Sequence, residues 1–265
     1  MKNALLLIDF QNDFIDAPSF RGALAVSGAY QDVLRTVQYI KSNQIDDIFV
    51  TVDTHSVMDI AHASWWVDKE GKHPSPFTLI TVDDVVSGKW MTADPKEQEW
   101  SLFYVKELAK NNKYTLCVWP DHCIKGSYGW DIAPEIKEAL KDWELSTGKS
   151  VNYVYKGMNP RTEHYSGFKA EVLVESDAGT ELNMDLIKSL MKYDRVSVAG
   201  EALSHCVASS VTDLLENISD KSKVTILKDC MSSVTGFEAN GEKFLDWAKS
   251  QGAVLETVGK MKLKM

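Results

Sequence analysis

No stretch of this 265-residue chain approaches the roughly 18–20 consecutive apolar residues that cross a bilayer, so no membrane-spanning segment is expected. The opening MKNALLLIDFQNDF holds one lysine and a continuous run of five apolar residues before Asp9, too short a run for a signal-peptide core. No run of Lys or Arg exceeds an isolated pair, and 29 basic against 38 acidic residues leave a net charge of −9. That balance argues against nucleic acid as a partner. Cysteine is scarce: Cys117, Cys123, Cys206 and Cys230, with no CxxC spacing. A zinc ribbon is therefore excluded and a disulfide framework disfavoured, which points to a reduced, cytoplasmic protein. Repeats, low-complexity tracts and linkers are also missing, so residues 1–265 are read as one domain.

What remains is an ordinary globular composition, 44% hydrophobic and 25% charged. Short apolar runs at 4–8, 48–52, 114–118, 151–155, 196–199 and 223–227 read as strands, with 253–257 as a further edge strand. Helical spacing marks 29–42, 134–145, 184–192 and 238–250, and an amphipathic segment lies near 96–110. Strands alternating with helices predict a three-layer α/β sandwich around a six-stranded parallel sheet, Rossmann-like in kind. Residues 63–113 read as an insertion between the second and third strands, with Trp65 and Trp66 as packing residues.

In open α/β sheets, ligands bind beyond the carboxyl ends of the strands. Asp9, Asp53, His55, Trp119, His122, Lys156 and Cys206 all fall just after expected strands. Three of them, Asp9, Lys156 and Cys206, supply a base, a cation and a nucleophile. In RVSVAGEALSHCVASSV a strand breaks at Gly200 and a helix begins at or next to Cys206. A thiol there meets the positive end of the helix dipole, which favours thiolate, and unpaired N–H groups that suit an oxyanion. The competing reading is a buried cysteine acting as a small hydrophobe. Asp53-Thr54-His55, with His62 and His122, has the donor types of a Zn²⁺, Fe²⁺ or Mn²⁺ site. On spacing alone an Asx turn and surface histidines explain these residues equally well. Cys117 and Cys230 read as structural, Cys123 as a rival nucleophile, and His73 and His164 as exposed or loop-packing residues. His205 is left unassigned.

The strings LLLIDFQNDF, DTH at 53–55 with His62, WPDHC at 119–123, YKG at 155–157, YSGF at 165–168 and GEALSHCV at 200–207 occur in this order. Together they resemble the isochorismatase-like cysteine hydrolases, and among them the nicotinamidase branch. The resemblance covers most of the chain outside 63–113. It implies a catalytic triad of Asp9, Lys156 and Cys206, oxyanion donors at Ala202 and Cys206, and a cis peptide joining Glu201 to Ala202. It further implies Phe14 and Trp119 around a pyridine ring, and Asp53, His55, His62 and His122 around a divalent metal, zinc foremost. The activity implied is hydrolysis of nicotinamide to nicotinate and ammonia through a cysteine thioester. Alternatives are a related hydrolase of another carboxamide or ureido-amide, and a catalytically silent ligand-binding member. Two departures stand out: Ser204 replaces the usual acid two positions before the nucleophile, and Glu201 stands where a small or apolar residue precedes the alanine. The partner expected is a small carboxamide; the oligomeric state stays open, a homo-oligomer included.

Overall fold

Five parallel pairings organise the computed structural model, which describes residues 1–110 and 114–260. They join β1 (Asn3–Ile8), β2 (Asp47–Asp53), β3 (Asn152–Lys156), β4 (Arg195–Gly200), β5 (Val224–Leu227) and β6 (Val254–Glu256). The sheet order is β6-β5-β4-β1-β2-β3. The central run Ala4–Ile8 is wholly buried, as a strand covered on both faces must be, which is why it shows no apolar–polar alternation.

The helices are α1 (Ala29–Ser42), α2 (Val82–Val86), α3 (Gln98–Lys110), α4 (Pro134–Thr147), α5 (Met184–Leu190), α6 (Ala208–Glu216) and α7 (Glu238–Gln251). The chain steps outward from β1 to β2 and β3, then returns to β4 and steps the other way. Right-handed crossovers put the helices of the two halves on opposite faces. Accordingly α1 packs on α4, and α6 on α7. The reversal lies between β1 and β4, where the loops leaving neighbouring strands diverge and open a crevice at their carboxyl ends. Among the described residues no helix is long and apolar enough to cross a membrane.

One expected strand does not join the sheet. Of residues 114–118 only Leu116–Cys117 is extended, paired antiparallel with Leu79–Ile80. Leu116 and Val118 instead pack into a second apolar cluster with Ile60, Trp65, Trp66, Ile80, Tyr104 and Leu108. The sixth place in the sheet goes to Val254–Glu256, expected only as an extra edge strand. The segment 63–113 holds α2, α3 and a short pairing of Trp66–Val67 with Met91–Thr92; its residues 111–113 lie outside the described residues. Trp66 is fully buried and donates its indole N–H to the Ile60 carbonyl, so it is a packing residue.

Gly200 ends β4 with φ of +155°, and a Cβ built on it would lie 2.3 Å from the Ile8 carbonyl oxygen. Only glycine lets β1 and β4 approach this closely at their carboxyl ends. Gly200→Ala is expected to lower the unfolding free energy by about 2–4 kcal/mol, measured by urea denaturation.

Candidate active site

Sheet register sets the centre of the site. Asp53 and Lys156 are paired across β2 and β3, and Asp9 follows Ile8, the partner of Thr51. The Lys156 ammonium lies 3.0 Å from Asp9 Oδ2 and 3.0 Å from Asp53 Oδ1. It donates to the His164 carbonyl at 2.6 Å and stands 3.7 Å from Cys206 Sγ. Thr51 donates its hydroxyl proton to Asp9 Oδ1 at 2.5 Å and accepts the Asp9 N–H at 3.1 Å. All five side chains are buried. Asp9, Lys156 and Cys206, far apart in sequence, thus converge on one point.

Burial raises the Asp9 carboxyl above the usual carboxylate range, against the pull of Lys156. For Lys156 burial opposes the charge, but Asp53 and Asp9 hold the ammonium protonated and carry it well above the ordinary lysine value. Burial also drives the Cys206 thiol well up; Lys156 opposes this, while Asp9 and Asp53 add to it, Asp9 also through a hydrogen bond. These surroundings oppose the thiolate that a helix N-terminus would favour. The reason is local. Residues Leu203–Val207 form a single π-helical turn and α6 starts only at Ala208, so Cys206 lies inside the turn, facing two carboxylates and one ammonium. The Glu201–Ala202 peptide is cis.

A second cluster adjoins the first. Nitrogens of His55, His62 and His122 lie within 4.8 Å of one another, as do ligand atoms of Asp53, His55 and Glu163. Asp53 Oδ2 is 3.1 Å from His55 Nε2 and 3.6 Å from His122 Nε2, and His62 Nε2 is 3.3 Å from His122 Nδ1. Two backbone bridges, His55 with Ile124 and His62 with Trp119, bring the 119–123 loop to the other two imidazoles. Burial, with the neighbouring His122 and His55, pushes His62 down to about 2. A buried, neutral imidazole packed against two others, with a carboxylate alongside, suits a divalent cation, since donors about 2.0–2.2 Å from one ion sit at such spacings. His55 Nδ1 is fixed by Asp59 at 3.0 Å, which leaves Nε2 turned to Asp53.

Between the clusters runs a narrow cleft lined by Phe14, Trp119, Tyr165, Ala202, His205 and Cys206 along with Asp53, His122 and Glu163. Trp119 donates its indole N–H to the Tyr165 hydroxyl at 3.0 Å. His205 meets Trp119 and Tyr165 edge-on and stacks on Tyr114, and burial pushes it down to about 4.

No family model and no curated protein sequence matches this chain. Solved structures do. A nicotinamidase/pyrazinamidase from Acinetobacter baumannii is 21% identical, with 97% of each chain covered and a TM-score of 0.65. A pyrazinamidase from Pyrococcus horikoshii in complex with zinc is 20% identical, covering 97% of this chain and 99% of its own, at 0.55. An isochorismatase-like hydrolase from Alkaliphilus metalliredigens is 19% identical, covering 98% and 97%, at 0.53. The fold is that of the isochorismatase-like hydrolases.

On this isochorismatase-like fold, every residue singled out at a strand end lies at or beside the crevice. Cys123 does not line it: the residue is fully buried, its N–H bonded to Asp13 Oδ2 at 2.7 Å, and burial drives its thiol well up. Cys117 and Cys230 are buried, with thiols pushed up to about 11 and about 12, chiefly by burial. His164 is buried in its loop rather than exposed, and His73 bonds the carbonyls of Ala63 and Trp66. Sequence reasoning missed Glu163 and Asp59. Glu163 is buried with Oε1 3.9 Å from His55 Nε2, and only its place two residues before the YSGF string pointed to the site. The cluster's geometry leads to a test by elemental analysis: the purified protein should carry about one divalent ion per chain, and the His55→Ala/His122→Ala double variant should carry none.

Proposed function

We propose that this protein hydrolyses nicotinamide, or a close heteroaromatic carboxamide, to the carboxylic acid and ammonia. The observation that carries the reading is the Lys156 ammonium, 3.0 Å from Asp9 and 3.7 Å from the sulfur of Cys206. Asp9 takes the thiol proton as the sulfur attacks the carboxamide carbon, which breaks the carbonyl π bond and places charge on oxygen. The Ala202 and Cys206 N–H groups receive that oxyanion, a stabilisation of about 3–4 kcal/mol per donor in comparable sites. Asp9 then returns the proton to the departing amine, the C–N bond breaks, and ammonia leaves a thioester. Water, giving a proton to Asp9, hydrolyses the thioester and restores the thiol. Lys156 stays charged throughout, which steadies Asp9 in each protonation state.

Phe14 and Trp119 flank the ring. Asp53, His55, His62 and His122 would hold the metal, Zn²⁺ by this donor set, and when bound it supplies a Lewis-acid contact that orients the substrate. The zinc complex of the Pyrococcus pyrazinamidase and the nicotinamidase named for Acinetobacter support this choice of metal and substrate.

An ammonia-release assay tests the reading. Cys206→Ala should reduce turnover of nicotinamide by at least about 10³-fold, whereas Cys123→Ala should keep most of it. The reverse pattern removes Cys206 from its role. Pyrazinamide and aliphatic amides in the same assay separate a ring-selective enzyme from a general amidase.

A further inference from the structure

The residue before Ala202 is a fully buried glutamate that the proposed chemistry does not use. The Glu201 carboxyl is in hydrogen-bond contact with the carboxyl of Asp32 on α1, itself buried. Two carboxyl groups bond to each other only when one of them carries a proton. The surroundings say which. Asp32 accepts from the Ser232 hydroxyl at 2.5 Å and pairs with Arg35 at 3.1 Å, so it has the donors that a carboxylate needs. Glu201 Oε2 accepts only the Ser232 N–H, at 3.3 Å, and Oε1 has no N–H or O–H donor among the described residues. An ionised Glu201 would leave a buried oxygen unsatisfied; a protonated one has a donor for Asp32.

The same small network grips the turn. Ser232 accepts the Leu203 N–H at 2.7 Å, the Glu201 N–H bonds the Ile8 carbonyl at 2.9 Å, and the Ala202 carbonyl accepts from His205 and Val207. Every covalent path from Glu201 to Cys206 runs through that turn, and Ala202 and Cys206 both line the cleft.

We infer that Glu201 and Asp32 share one proton and act as a positioning pair that holds the Ala202–Cys206 turn in place. The inference rests on the reading of Cys206 as nucleophile. The charged and titratable groups facing the pair are Asp32 and Arg35 from α1, Asp16 from the segment before it, and the Cys230 thiol from the loop after β5, where the Asp229 backbone carbonyl accepts from Arg35. Burial, then Asp32, drives the Glu201 carboxyl well above the ordinary glutamate value. The sign follows. A raised pKa means that the contribution to stability is complete below the ordinary glutamate pKa and is lost as pH rises through the folded value.

The experiment compares wild type, Glu201→Gln and Glu201→Ala for kcat and KM on nicotinamide across neutral to alkaline pH, with urea unfolding at each pH. Glu201→Gln keeps an N–H donor for Asp32 and cannot ionise. It should hold kcat within about twofold of wild type at neutral pH and abolish the alkaline fall in both kcat and stability. Glu201→Ala should lower kcat about tenfold with KM little changed, the pattern of a displaced oxyanion donor. The inference is overturned if Glu201→Gln leaves the alkaline fall of stability unaltered, or if Glu201→Ala matches wild-type kcat at every pH. Should wild type not turn over nicotinamide, the proposed function fails, while the unfolding profile still decides whether the pair shares its proton.

Discussion

A single buried ammonium organises this molecule. Lys156 lies among two carboxylates, a carbonyl and a thiol, away from water. Moving an isolated ammonium or carboxylate into such a place costs several kcal/mol per ion even after relaxation, so none of the three charges is tolerable alone. Together they satisfy one another, and the strand register that aligns Asp53 with Lys156 makes that possible. The sheet is thus tuned at its carboxyl end by electrostatics as much as by the apolar packing of β1 beneath it.

Asp53 links the two halves of the site. Oδ1 faces Lys156 and Oδ2 faces His55 and His122. Burial opposes its charge, yet His55 and Lys156 hold it ionised, well below the usual carboxylate range. The Lys156–Cys206 group and the imidazole cluster are therefore built around one shared carboxylate, which ties the spacing of the two.

Much of this was legible in the sequence, for a physical reason. A strand buried on both faces must be uniformly apolar, and it must stop where a charged group begins, so Asp9 and Asp53 announced themselves as strand ends, whereas Lys156 closes the exposed edge strand β3. The run at 114–118 has the same apolar character but turns Leu116 and Val118 into a different cluster, because hydrophobicity reports burial without naming the partner. The electrostatic setting of Cys206 was not legible, because it depends on Asp9 and Asp53, which lie close only in three dimensions. Glu163 and Asp59 stayed hidden for a related reason: each acts on His55 from a loop with no periodicity. The alternating pattern of helices and strands was otherwise close, with α5 ending at Leu190, two residues short of the expected boundary.

The departure of residues 114–118 from the sheet has a mechanical result. The segment leading to Trp119 and His122 is held by both apolar bodies: Leu116 and Val118 pack in the smaller one, while Cys117, Trp119 and Cys123 pack in the main core, where the Trp119 N–H bonds the Ala61 carbonyl. One wall of the crevice thus straddles the seam between the two apolar bodies, so its distance from the floor set by β1, β2 and β3 depends on how the smaller body seats against the larger.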